Sequence, residues 1–435
     1  MKSTIIGLAA LIFTIFSISC KETTSNTEDK TDKTNQEVTA KDILGNPNYQ
    51  AISYGGYREN TRDIQPSIEN IKEDMKILHA MGIRVLRTYN TKLRHATTVL
   101  EAIRALKNED PDFEMYVMLG AWIDCKNAWT DQPPNHDEEN EEANAAEIQR
   151  AVKMANDHPD IVKVIAVGNE AMVKWAASYY VQAWVILKWV NHLQELKSSG
   201  QLPEDLWITS SDNFASWGGG EEVYHTEDLT ELFKAVDYVS IHTYPMHDTH
   251  YNPVFWGIAE SEADLDTEDR IEAAMIRARD YAKTQYQNVV DYMKGLGIDK
   301  PVHIGETGWA SFSNGHYGEE GSHATDEYKE ARFHDLMREW TDTDGISCFY
   351  FEAFDEIWKD AGNPGGSENF FGLFTIDGKA KYALWDMVDQ GTFKGLSRGG
   401  NPITKTYEGN KEALMKDVFM PPVKKDLSSV MEPQE

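Results

Sequence analysis

The sequence predicts a single (β/α)8 barrel, and three observations carry that expectation. Eight short apolar runs recur along the chain, segments of helical spacing separate them, and acidic, amide and aromatic residues gather just after several of the runs. The runs cover residues 51–54, 83–88, 114–119, 162–167, 207–209, 238–241, 302–305 and 347–351. Several are nearly continuous in apolar residues, as strands covered on both faces by helices should be. After the first run, Ile68, Ile71, Met75 and Leu78 fall three or four apart and make one buried helical stripe. Ser67 is placed to cap that helix, and Gly82 suits the turn into the second strand. Residues 272–296 read as another long helix, ending in Gly295-Leu296-Gly297. An open doubly wound sheet is the alternative, but no glycine-rich phosphate turn follows the first strand.

The two ends of the chain read differently. Residues 1–19 have a basic start at Lys2 and an apolar run from Ile5 to Ile18, the layout of a secretory signal and too short for a transmembrane helix. Ser17-Ile18-Ser19-Cys20 resembles a bacterial lipobox, which implies that Cys20 is lipidated. Release as a soluble secreted protein is the alternative. Residues 20–48, rich in Thr, Lys, Glu, Asp and Asn, are expected to form the lipidated cysteine and a flexible tether. By the same lipoprotein resemblance, Lys21 favours a bacterial outer membrane. The barrel is expected over 49–425, with 426–435 a tail. A net charge of −30 argues against a nucleic-acid partner and suits a neutral polymer. Cys125 and Cys348 are expected to be buried, unpaired thiols.

In such a barrel, chemistry collects at the C-terminal ends of the strands. The fourth run leads into Gly168-Asn169-Glu170 and the seventh into Gly305-Glu306-Thr307-Gly308-Trp309. The second ends in Arg87-Thr88-Tyr89, the sixth in His242-Thr243-Tyr244, and the eighth continues through Glu352 to Lys359. Glycoside hydrolysis needs one carboxylic acid to protonate the leaving oxygen and one carboxylate opposite it, and Glu170 and Glu306 are the candidate pair. Either one alone reads as well as a helix cap. Trp122, Trp217, Trp309 and Phe354 are candidate rings for stacking on sugars, and Tyr54 and Tyr89 join the substrate-facing set; core packing is the alternative for each. His242, His247 and His250 lack a second cluster, so no metal or cofactor is expected. The acidic residues 137–142 read as the solvated start of a helix.

Taken together, Val167-Gly168-Asn169-Glu170, Gly305 to Trp309, Phe351 to Glu356 with Trp358-Lys359, and Phe371 to Phe374 with Asp377, Gly378 and Lys381 resemble glycoside hydrolase family 17, from about Tyr54 to Trp385. The resemblance implies a retaining, endo-acting hydrolase of laminarin-type β-1,3-glucan. Glu170 would be acid and base, Glu306 the nucleophile, and Asn169 a partner of the sugar 2-hydroxyl. Arg87 would keep Glu306 ionised, Tyr244 would bond the nucleophile or the sugar, and Glu356 with Lys359 would support the acid from nearby. The partners implied are β-1,3-glucan chains and a membrane reached through the lipid anchor. Two other readings stay open: a β-1,3-glucanosyltransferase of the same family, and a non-catalytic glycan-binding lipoprotein.

Overall fold

The computed structural model describes residues 38–424, and all eight expected strands are present in them. They are β1 (Gln50–Ser53), β2 (Ile83–Arg87), β3 (Tyr116–Ala121), β4 (Val162–Asn169), β5 (Trp207–Asn213), β6 (Val239–His242), β7 (Val302–Thr307) and β8 (Cys348–Tyr350). Each pairs in parallel with its neighbour in sequence, and β8 closes on β1. Helices separate successive strands, among them Ile68–Ala80, Glu141–Asp157, Ala183–Ser198 and Thr267–Gly295. The architecture is the (β/α)8 barrel.

Local signals act where expected. The Asn70 amide donates to Ser67 Oγ at 3.2 Å, and Asn70 Oδ1 accepts from the Ser67 amide at 3.1 Å, so the helix start is capped reciprocally. The long helix begins earlier than its apolar spacing suggests, at Thr267, because Asp266 caps it by accepting from the Asp269 amide. Cys125 and Cys348 are buried and unpaired.

Two expectations are corrected. Residues 38–48 are not tether: Ala40–Ile43 forms a helical turn, and Ala40, Ile43 and Leu44 pack with Ala51, Val85, Tyr116, Met118, Val164, Tyr238 and Phe349 at the N-terminal end of the barrel. Gly45 N donates to Ser347 Oγ at 2.8 Å, fixing this plug beside the start of β8. Burial of these apolar side chains docks the segment against the barrel despite the polar composition around them. The acidic run is also not simply a helix start, since Asn135–Glu139 pairs with Cys125–Lys126 in a short hairpin and the helix begins at Glu141. Two of its carboxylates are held in place: Lys126 pairs with Glu138 at 2.7 Å, and Lys188 and the Trp189 indole N–H both reach Glu139. Among the described residues no helix is long and apolar enough to cross a membrane. The signal segment, Cys20, the tether up to residue 37 and the tail from residue 425 lie outside the described residues.

Candidate active site

The C-terminal mouth of the barrel gathers Arg87 from β2, Asn169 from the end of β4 and Glu170 just after it, Tyr244 just after β6 and Glu306 from β7. Glu306 is buried, and three donors converge on it. Arg87 Nη1 and the Tyr89 hydroxyl, the latter at 3.0 Å, donate to Oε2, while the Tyr244 hydroxyl donates to Oε1 at 2.6 Å. Arg87 also donates to Gly305 O at 2.9 Å and to Asn169 Oδ1 at 2.5 Å. One buried guanidinium therefore ties β2, β4 and β7 together. Burial works against the Glu306 anion, but His242 when protonated, the permanent charge of Arg87, and the Tyr244 and Tyr89 hydroxyls overcome it and hold its pKa down at about 2. Burial keeps His242 itself neutral, with a pKa lowered to about 4, so Arg87 supplies the positive charge at neutral pH.

Glu170 has the opposite surroundings. Its side chain is 14% exposed, and burial, then the charge of Glu306, raise its pKa well above the usual carboxylate range, with Arg87 opposing. The backbone aims it with some strain: Glu170 has φ of 46° and its amide donates to Ser211 O at 3.0 Å. Gly168 makes the turn possible, since its φ is 82° and a Cβ there would come within 2.9 Å of the Ala171 Cβ. Glu170 Oε1 lies 3.1 Å from His242 Nδ1, and His242 Nε2 lies 2.8 Å from Ser211 Oγ. Asp212, buried on β5, accepts from the Met172 amide at 2.7 Å and from Ser216 Oγ at 2.7 Å, holding the chain just past Glu170. Two carboxylates thus meet in one mouth, one favouring its proton and the other its charge.

Other candidates fall elsewhere. Trp217 and Trp309 are 0% exposed, so neither can stack on a sugar. Their indole N–H groups donate to Ser240 O at 3.0 Å and Ala324 O at 2.7 Å, which satisfies the one polar atom of each and lets the rings pack under the barrel's helices. Tyr54 is equally buried, with its hydroxyl 3.0 Å from Asp74, and Phe354 is buried against Phe374 under the Arg398 guanidinium. Glu356 and Lys359 do not hydrogen-bond Glu170. Lys359 pairs with Glu352 at 2.6 Å and Glu356 at 3.6 Å, while Glu356 accepts from the Tyr57 amide and the Trp358 indole. The reason is positional, because β8 and the loop after β1 stand across the barrel from β4. Gly55 permits this arrangement, since a Cβ on it would fall 2.1 Å from Glu356 Oε1. Trp122 does sit partly exposed at the mouth, after β3. His242 and Asp212 were not assigned roles from the sequence. For His242 the signal was there: it precedes Tyr244 by two residues, which in an extended chain points both side chains the same way.

Known proteins with related sequences and folds place the chain in a family. The family model described as the BtgE/BtgC glycoside hydrolase domain matches residues 51–372. A crystal structure of an endo-laminarinase from Formosa Hel1_33_131 is 71% identical, with TM-score 0.88 over 89% of this chain and 98% of that one. A probable glucan endo-1,3-beta-glucosidase, btgC, of Aspergillus fumigatus is 28% identical over 316 residues, which are 70% of this chain and 37% of the relative. The match thus spans little more than a third of that curated relative. A family 17 β-1,3-glucanosyltransferase from Rhizomucor miehei, 20% identical with TM-score 0.52 over 77% of this chain and 96% of that one, shares the fold. The chain belongs to the BtgE/BtgC glycoside hydrolase family.

Proposed function

We propose that the protein is a retaining endo-β-1,3-glucanase acting on laminarin-type chains, with Glu306 as nucleophile and Glu170 as acid and base. The observation that carries the reading is the contrast between the two carboxylates: Arg87, Tyr89 and Tyr244 converge on Glu306, while burial and the neighbouring anion keep the proton on Glu170. In the first step a Glu306 oxygen attacks the anomeric carbon as the glycosidic C–O bond breaks, and Glu170 gives its proton to the departing oxygen. Glu170, now ionised, then takes a proton from water as the water attacks the same carbon and releases Glu306. Asn169, oriented through Oδ1 by Arg87, keeps its amide N–H groups for the sugar 2-hydroxyl. The linkage rests on the likeness to the endo-laminarinase, whose length this chain matches almost completely.

The test is one incubation with laminarin, curdlan, mixed-linkage glucan and cellulose, with products read by size. Laminari-oligosaccharides of several sizes should appear early and cellulose should stay intact. Glucose alone from the first time point contradicts endo action, and untouched laminarin contradicts the linkage. We also propose that Cys20 carries a lipid anchoring the enzyme to a bacterial outer membrane; Cys20→Ser should then leave the membrane fraction. Unchanged fractionation of that variant overturns the anchor.

A further inference from the structure

Three rings stand together beside the acid. Trp129 is 63% exposed and has φ of 60°, a left-handed backbone that a bulky side chain adopts only at a cost and that no burial of its own ring offsets. Its ring lies 5.2 Å from that of Tyr179 at an interplanar angle of 22°, and Trp122 lies 5.0 Å from Tyr179. Trp122 follows β3, Trp129 is carried by the hairpin after it, and Tyr179 is on the loop that follows Glu170.

The two loops are fastened by contacts other than these rings. Cys125 N donates to Tyr179 O at 3.0 Å, His136 Nδ1 lies 2.8 Å from Tyr180 O, and the His136 and Tyr180 rings stack at 3.6 Å. The base of the hairpin is held by the Trp189 indole donating to Glu139 at 2.8 Å. The rings are thus set in place before any ligand arrives, which reduces the ordering cost of binding. Val181 N donates to Ala171 O at 2.7 Å, which folds the loop carrying Tyr179 back onto the residue that follows Glu170.

We propose that Trp129, Tyr179 and Trp122 form a binding platform for a glucosyl unit of the departing part of the substrate chain. The inference rests on the glucanase reading above. The sugar under attack is defined by Glu306 on β7 with its donors Arg87 and Tyr89, on and just after β2, and Tyr244, just after β6, and the leaving oxygen by Glu170. A platform over the ends of β3 and β4 therefore meets the portion of chain beyond the cut. Flat rings suit the apolar face of a pyranose, and a neutral sugar needs no charge there.

The experiment compares the full-length wild type with Trp129→Ala and Trp129→Phe on two substrates. One is reducing-end-labelled laminarihexaose; the other is β-laminaribiosyl fluoride, whose single-atom leaving group does not reach the platform. Trp129 is exposed, so the variants keep the fold. Trp129→Ala should lose about tenfold in kcat/KM on the hexaose, from the apolar area no longer covered, and less than about twofold on the fluoride. Trp129→Phe should fall between, and the labelled products should shift away from cuts that place sugars on the platform. Equal losses on both substrates, or no loss on either, overturn the platform alone. If the wild type itself leaves the hexaose uncut, the glucanase reading fails and the platform falls with it.

Discussion

Tyr244→Phe removes one oxygen atom and asks whether the donors around Glu306 set its charge. The hydroxyl donates to Glu306 Oε1 at 2.6 Å, and Arg87 and Tyr89 remain to serve Oε2. A hydrogen bond to an ionised group is worth about 1.5–3 kcal/mol, and one pKa unit corresponds to ~1.36 kcal/mol, so losing it should raise the Glu306 pKa by about 1–2 units. From about 2 in the wild type it should move to about 3–4. The nucleophile works as an anion, so activity is lost as pH falls through this value, and raising it moves the acidic limb upward. The assay is kcat/KM on laminarin from pH 2 to 9 by reducing-end release, with circular dichroism at each pH to separate unfolding from titration. Tyr89→Phe, which gives up a longer bond of 3.0 Å, should move the acidic limb less. The basic limb, set by Glu170, should hold still in both. An unmoved acidic limb, or a shift of the basic limb alone, refutes the assignment of these donors to the nucleophile.

Further outcomes follow from the same geometry. With azide present, Glu306→Ala should yield a glycosyl azide of inverted configuration, and Glu170→Ala, given an activated substrate, one of retained configuration; the reverse pattern means the roles are exchanged. His242→Ala removes the ring 3.1 Å from Glu170, so laminarin turnover should fall about 10–100-fold, whereas a dinitrophenyl glycoside, whose leaving group needs no proton, should be cut almost as before. Equal losses on the two substrates would show that His242 does not act through the acid. Trp309→Ala should lower stability by about 3–5 kcal/mol in urea unfolding and leave oligosaccharide affinity of the folded protein unchanged, because the ring is in the core. Weakened binding by a protein of undiminished stability would return Trp309 to the sugar-binding surface.

The barrel was legible because parallel strands covered on both faces leave apolar runs that polar helices interrupt. Where a strand enters the polar mouth, the signal fades: β5 continues through Ser210, Ser211, Asp212 and Asn213, and its apolar start alone marked it. The plug at Ala40–Ile43 was hidden for a similar reason, since its few apolar residues are diluted by the polar stretch before them. At the site, residues that end strands, Arg87, Glu170 and Glu306, were readable because strand direction fixes where they go. Rings on the loops beyond were not, because a tryptophan three residues after Glu306 can turn inward as readily as outward. Trp309 and Trp217 found carbonyl partners for their N–H groups inside, while Trp129, which no pattern marked, stayed out on its hairpin. His242 was set aside as one of three scattered histidines. Only the folded barrel shows it bridging Ser211 and Glu170.

The central claim, that Glu306 forms a covalent glycosyl intermediate with Glu170 as its proton donor, is tested most directly by the anomer released first. Proton NMR of laminarin digestion in its first minutes, before mutarotation, distinguishes the two possible courses. Two displacements at the same carbon should give reducing ends in the β configuration, with the α form growing in later. An α-anomer released from the start would mean a single displacement by water and would contradict the account.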